Sequence, residues 1–415
     1  MPHISLVILS YNNWGFTLRC LNSLVASIDS GWAQQGIEIL LVDNGSDAQT
    51  RTALLEYQAT WNQPFIDFKS IMLEENLGYP SGVNVGLAHC RGEIIGILNN
   101  DLVFPSGWLE PLIDAIEKDK LVGFAAPFLS FAASTQNVEK QFSSFEEMAK
   151  FATDFTKVNR GNFVYVEKVI GACLIMRRDV LLTLGGNDFW FGIGNYDDDD
   201  WCLRARLAGY KIALVGASFV EHVGHATFQL DTEQFKNSLN VNAMKFELKW
   251  DIMEISNHSG SYTRHGVVLH QQFSRARHYI PISAEQFSSS RKPYYPRSSN
   301  QRRFLIGADW TSSQSEWRES LSSVLMDHDD IEVCLWAPKS HFDVKQVTNH
   351  IQAHVSSLGI HVASRHIIFT VFDSEVPFVD SLRVLRSADE IVKVKNDFVN
   401  RYLIYLAQQT EIKIM

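Results

Sequence analysis

The chain is poor in cysteine. Its 415 residues hold five, Cys20, Cys90, Cys173, Cys202 and Cys334, scattered along the chain and odd in number. No two form a CxxC pair, so neither a disulfide framework nor a zinc site is indicated, and a reducing compartment fits best. Long apolar runs are also missing. The longest, near Val122–Ala133, is interrupted by Pro127 and Ser130 and is too short to span a bilayer. The N-terminus MPHISLVILSYNNW has no basic lead and no small-residue cleavage site, so it reads as a first strand and not as a signal peptide. Positive charge is in deficit, with a formal net charge of -10, which argues against a general nucleic-acid binder. The strict phosphate-binding signatures are absent too. The Gly-rich stretch Glu75–Gly86 has no Lys after its last Gly and no GxGxxG spacing.

What is present is enough chain for two domains, with 46% hydrophobic residues to fill their cores. Ile4–Leu9 and Ile37–Val42 are continuous apolar runs, as in strands buried on both faces. Each ends in a polar turn, Ser10-Tyr11-Asn12 and Asp43-Asn44-Gly45-Ser46, and a helical pattern follows each turn. Strand, polar turn and helix, repeated, predict a doubly wound α/β sheet. Ligands bind such sheets beyond the C-terminal strand ends, where both polar clusters lie. Tyr11 could stack a base and Asp43 could accept from a base edge or a ribose hydroxyl. The same residues also serve as ordinary turn and N-cap residues. Asn76, Gly78 and Asn84 lie in the Gly-rich stretch, which either brings backbone amides to a phosphate or packs a helix closely on the sheet. A strand at Glu93–Leu98 ends at Asn99-Asn100-Asp101, where a carboxylate suits a hard cation bridging a diphosphate or a plain turn.

Further on, a strand at Val169–Met176, a helix at Arg178–Leu184 and the breaker Gly185-Gly186 lead to four consecutive aspartates, Asp197–Asp200. They precede a helical pattern with Leu203, Leu207 and Tyr210 on one face and Arg204 and Arg206 off it. Adjacent carboxylates raise one another's pKa. Three uses are open: capping the helix, holding a cation, or serving as a base. Trp190, Phe191 and Trp201 either stack a sugar face or belong to the core. After a strand at Lys211–Val215, a loop at Glu221–His225 offers His222 as a metal ligand or as a structural histidine.

In this order, Ser10-Tyr11-Asn12, Asp43-Asn44-Gly45-Ser46, Asn76-Leu77-Gly78, Asn99-Asn100-Asp101, Gly171-Ala172-Cys173, Asp198-x-Asp200 with Cys202-Leu203-Arg204, and His222 resemble the family 2 glycosyltransferases, in particular a bacterial rhamnosyltransferase-like branch. The likeness covers about residues 2–251 and closes at Lys249-Trp250. The resemblance implies a GT-A fold, a nucleotide-diphosphate sugar donor, a divalent metal (manganese or magnesium) and inversion at the anomeric carbon. By the same resemblance Ser10, Tyr11, Asn12, Asp43, Asn44, Gly45, Asn76, Gly78, Asn84, Asn99 and Asn100 would surround the donor. Asp101 and His222 would hold the metal. Asp198 would be the base, with Asp197 as the competing candidate and Asp200 raising its pKa or orienting the acceptor. Two positions depart from the family pattern: Asp197 stands where the family has Glu, and Asn99 stands at the first position of its DxD.

Composition shifts after Trp250. Ser256–Ser299 is rich in Ser, His, Arg and Tyr and reads as an irregular connection, solvated or touching anionic lipid or glycan. From Phe304 the strand–helix rhythm resumes, loosely resembling the nucleotide-binding half of GT-B glycosyltransferases but without their glutamate-containing donor motif. The expected division is residues 1–251, a connection at 252–302, and an α/β Rossmann-like accessory unit at 303–415 for acceptor binding or homo-oligomerisation. The function expected is sugar transfer to a glycan or glycolipid hydroxyl in cell-surface polysaccharide biosynthesis, in the cytoplasm or at the inner membrane face. A nucleotide-sugar-binding protein with a decayed site is the alternative. A nucleotidyltransferase would need a Gly-rich loop with Arg and Lys after the first strand, which SYNNWG does not supply.

Overall fold

A computed structural model describes residues 3–132, 135–224, 232–250, 272–283, 292–297, 299–374, 380–409 and 412–415. Nine strands make the first sheet: β1 Ile4–Ser10, β2 Ile37–Asp43, β3 Ile66–Met72, β4 Ile94–Asn99, β5 Leu102–Val103, β6 Val122–Leu129, β7 Phe163–Val166, β8 Cys173–Arg177 and β9 Lys211–His222. Their order is β3-β2-β1-β4-β8-β6-β9-β5, with β7 also on β9. The first four are parallel, and β8 runs antiparallel between β4 and β6. This is the doubly wound mixed α/β sheet expected. β1 and β2 are buried along their whole length, because helices cover both faces and leave no side for polar residues.

Several elements lie where the sequence pattern is weak. β3 alternates only in part and is half-exposed towards its end. The apolar stretch at Val122 is β6, kept in the sheet despite Pro127 by a register shift after that residue. β8 begins at Cys173, not Val169. β9 runs to His222, so the loop expected at Glu221 starts later: Leu102 pairs with His222 and Val103 with Glu221.

The second sheet is parallel, ordered β12-β11-β10-β13-β14 from β10 Arg302–Gly307, β11 Ile331–Trp336, β12 Ile368–Phe372, β13 Glu390–Ile391 and β14 Lys413–Ile414. The helix expected at Val376–Ser387 is found at Ser381–Leu385; Val376 itself lies outside the described residues, as does most of the expected connection. The two sheets share a core. One face of the first sheet, with Val7, Leu9, Leu40 and Val42, belongs to the same buried cluster as Phe304, Val333 and Leu403. Trp190 is fully buried against Trp336 and Phe342, at ring distances of 5.5 and 5.3 Å. Among the described residues no helix is long and apolar enough to cross a membrane.

Candidate active site

Parallel register brings the strand-end residues together. Ser10 lies opposite Asp43, and Leu9 opposite Asn99. The turns beyond are tied by short bonds: the Asn12 amide donates to Ser46 Oγ (2.7 Å), and the Asp47 amide donates to Asn12 Oδ1 (2.9 Å). Tyr11 stays half-buried beside them. Asp43 is fully buried. Its Oδ2 accepts from Arg51 Nε at 3.0 Å, while Oδ1 has no hydrogen-bond partner. A buried carboxylate oxygen without a donor is costly, and a ligand N–H or hydroxyl would relieve that cost.

The Asn76–Tyr79 loop is built by Asn44. Its carboxamide accepts from the Leu77 amide (2.9 Å) and donates to Asn76 Oδ1 (3.1 Å) and the Gly78 carbonyl (3.2 Å). Two glycines permit the close approach, both at positive φ. A Cβ on Gly45 would come within 2.4 Å of the Glu75 main chain, and one on Gly78 within 2.0 Å of the Gly192 carbonyl.

Four of the expected ligand contacts are spent inside the protein. Asn44 is occupied as described. Asn84 is fully buried and clamps Asn187, donating to its carbonyl (2.7 Å) and accepting from its amide (2.8 Å). Asn100 donates to Thr17 Oγ1, which also pairs with Ser10 Oγ. Asp200, expected beside the base, has one oxygen on Arg204 Nε (2.8 Å) and the other on Lys249 Nζ (2.6 Å) and Trp250 Nε1 (3.0 Å). Arg204, expected off the apolar face, is itself fully buried and also donates to the Leu184 and Gly186 carbonyls. A buried charge must be neutralised and hydrogen-bonded, which draws Arg204 inward. Trp190, Phe191 and Trp201 are core aromatics, at most 4% exposed.

Asp101 and His222 do meet. Among the described residues no group of three or more His, Cys, Asp or Glu side chains is placed to hold a metal ion. The pair is joined through the β5–β9 ladder and the Val223 amide on the Asp101 carbonyl (3.1 Å). His222 Nδ1 donates to the Phe131 carbonyl at 2.9 Å, leaving Nε2 3.4 Å from Asp101 Oδ1. That separation is an ion-pair distance, not a formed hydrogen bond, and Asp101 Oδ1 is a buried oxygen without a hydrogen-bond partner. Burial would lower the imidazole pKa, but the facing carboxylate outweighs it and the net direction is up. A carbonyl-fixed tautomer presenting Nε2 beside an orphaned carboxylate oxygen fits a divalent cation.

Helix Asp197–Leu207 opens on the four acids, and three of them are buried. Asp199 pairs with Lys168 (2.7 Å) and Asp200 with Arg204 and Lys249. Asp198 alone is partly open. It accepts from the Gly171 amide (3.1 Å) and the Asp199 amide (2.9 Å). Burial, then the Asp199 charge, push its pKa up to about 6, against Lys168 and the two amides, which lower it. Burial and the neighbouring carboxylates hold Asp197 well above the ordinary carboxylate range. Asp197, Asp198, Gly171, Asn187 and Tyr79 line one cavity over Phe124 and Trp201.

Tyr79 was not singled out by the sequence. Its hydroxyl lies 3.0 Å from both Asn99 Oδ1 and the Gly171 carbonyl, so one phenol joins the β4 strand end to the segment holding Asp198. The only available signal was an aromatic residue directly after Asn76-Leu77-Gly78.

Residues 5–185 match the sequence model of Glycosyl transferase family 2. The O-antigen biosynthesis protein RfbC of Myxococcus xanthus is 26% identical over 230 residues, 51% of this chain and 17% of that protein. Chondroitin synthase of Escherichia coli is 29% identical over 119 residues, 29% of this chain and 16% of that protein. The alignments thus span under a fifth of either relative's length. A mannosyltransferase of Pyrobaculum calidifontis, solved with GDP-Man and Mn2+, superposes with a TM-score of 0.42 at 16% identity, over 60% of this chain and 63% of that one.

Proposed function

Residues 5–185 belong to glycosyl transferase family 2, and from that premise we propose that the chain transfers a sugar, with inversion, from a nucleotide-diphosphate donor to a hydroxyl of a glycan or glycolipid acceptor in polysaccharide biosynthesis. The observation that carries this is the differentiation of the four aspartates. Asp199 and Asp200 are consumed by cations, Asp197 is buried with a raised pKa, and Asp198 is partly open, held by amides and poised to take a proton. A sugar hydroxyl is a poor nucleophile, so its proton must pass to a base as it attacks. Asp198 accepts that proton. The acceptor oxygen bonds to the anomeric carbon on one face as the bond to the diphosphate oxygen breaks on the other, which inverts the centre.

Asp43 takes the nucleoside through its unpaired oxygen, and the Asn12–Ser46 turns and the Asn76–Tyr79 loop frame the donor. Asp101 and His222 would hold manganese or magnesium, whose charge offsets that gathering on the leaving diphosphate. Two protein ligands suffice for such a cation when phosphate oxygens and water complete its shell. The RfbC and chondroitin synthase likenesses support a glycan product. The rhamnosyltransferase-like branch is the finer reading within this one.

Calorimetric titration with UDP, GDP, dTDP and CDP, each with and without manganese, tests the proposal. Metal-dependent binding of one nucleotide supports it. Binding of none overturns it, and binding without turnover of any donor sugar favours a decayed site.

A further inference from the structure

The second sheet unit reaches the Asn76–Tyr79 loop and the Phe189–Gly192 segment that packs on it. On helix Phe398–Gln408, Arg401 Nη1 donates to the Asn76 carbonyl at 2.7 Å, and its Nε lies 3.5 Å from Glu75 Oε2. Lys393 Nζ stands 3.4 Å from the other Glu75 oxygen. Phe398 packs where Gly192 and Gly78 approach each other, and the Tyr402 ring lies tilted against Phe189 at 4.9 Å. The Asn76–Tyr79 loop is therefore gripped from two sides: Asn44 bonds Leu77 and Gly78 from within the first unit, and Arg401 takes the Asn76 carbonyl from the second. That loop ends at Tyr79, whose hydroxyl touches Asn99 and Gly171.

We propose that Arg401 is a positioning residue of the transferase site: by anchoring the Asn76 carbonyl it sets the Asn76–Tyr79 loop, so the second unit completes the nucleotide-sugar site and is not a separate module. This rests on the transferase reading above. A guanidinium is suited to the role because one planar group can meet a carbonyl and a carboxylate together.

The test uses full-length wild type, Arg401→Gln, Arg401→Lys and Lys393→Gln. Each is titrated calorimetrically with UDP, GDP, dTDP and CDP in manganese, and amide hydrogen exchange is followed at residues 75–79. Loss of one charge-assisted bond is expected to weaken nucleotide binding about tenfold in Arg401→Gln and to speed exchange at Leu77 to Tyr79. Arg401→Lys should recover part of both effects. Lys393→Gln removes an ion pair to the same Glu75 but leaves the Asn76 carbonyl held, and should bind as wild type does. Equal binding by wild type and Arg401→Gln overturns the proposal, as does unchanged loop exchange or an equal loss in Lys393→Gln. Failure of the wild type to bind any of the four nucleotides defeats the transferase reading, and loop exchange alone then decides whether Arg401 holds the loop.

Discussion

Asp198 is a carboxylate made basic by its surroundings. Burial and Asp199 raise its pKa to about 6, with Lys168 and the Gly171 amide opposing them. A raised carboxyl is protonated, and useless as a base, below that value. We therefore expect transfer to rise with pH through an inflection near about 6 and then level off. A rate that is flat across that range would remove Asp198 from the role. Asp198→Asn should cost roughly 10²–10⁴-fold in kcat with the melting temperature preserved. Asp197→Asn should keep most of the activity, because burial and the neighbouring carboxylates disfavour the charged form that a base needs. Tyr79→Phe keeps the ring but releases Gly171. Since the Gly171 amide lowers the Asp198 pKa, the inflection in that variant should move up, and the same rate profile reads the shift.

At the scale of elements, the acid-rich helix start was legible because four aspartates before a helical pattern are exceptional. The sharing out of those acids was not, since their partners come from distant positions: Lys168 from the segment before β8, and Lys249 and Trp250 from helix Thr232–Trp250. Lys249 also meets Asp188 at 2.7 Å, and Asp188 meets His341 at 2.9 Å. Lys249 and His341 hold Asp188 well below the ordinary carboxylate range although burial opposes them. Lys249→Met would leave two buried carboxylates short of their cation, and a loss of about 3–5 kcal/mol is expected. Thermal or urea unfolding checks it, and a loss well under 1 kcal/mol would mean that Arg204 and His341 neutralise the acids alone.

Across the whole molecule, the second sheet's strand-end crevice is where a parallel α/β unit would take its ligand. Here Trp190 lies against Trp336 and Phe342, and Lys245 pairs with Asp309 at 2.7 Å, so the first unit fills that place. One nucleotide per chain is the expected stoichiometry, and a calorimetric value of two would refute it. The shared core carries a second expectation. Residues 1–251 expressed alone should aggregate, because Trp190 and the apolar face beneath it would lie open to water. A monomeric, cooperatively melting fragment on size-exclusion chromatography would show that the units are independent.

The sequence by itself determined the alternating α/β order, the parallel start of the first sheet, the strand-end clusters at Ser10, Asp43 and Asn99, and the acid helix. Each rests on local periodicity or on turn chemistry within a few residues. Tertiary structure decided which polar side chains stay open. Asn84 and Asn100 look like ligand residues in sequence but bond the protein itself, whereas Tyr79, with only its place after Asn76-Leu77-Gly78 to mark it, and Arg401, with no local signal, touch the strand-end loops. The physical reason is that a buried polar group must find a partner, and that partner is set by which strands and helices meet, not by its neighbours in the chain.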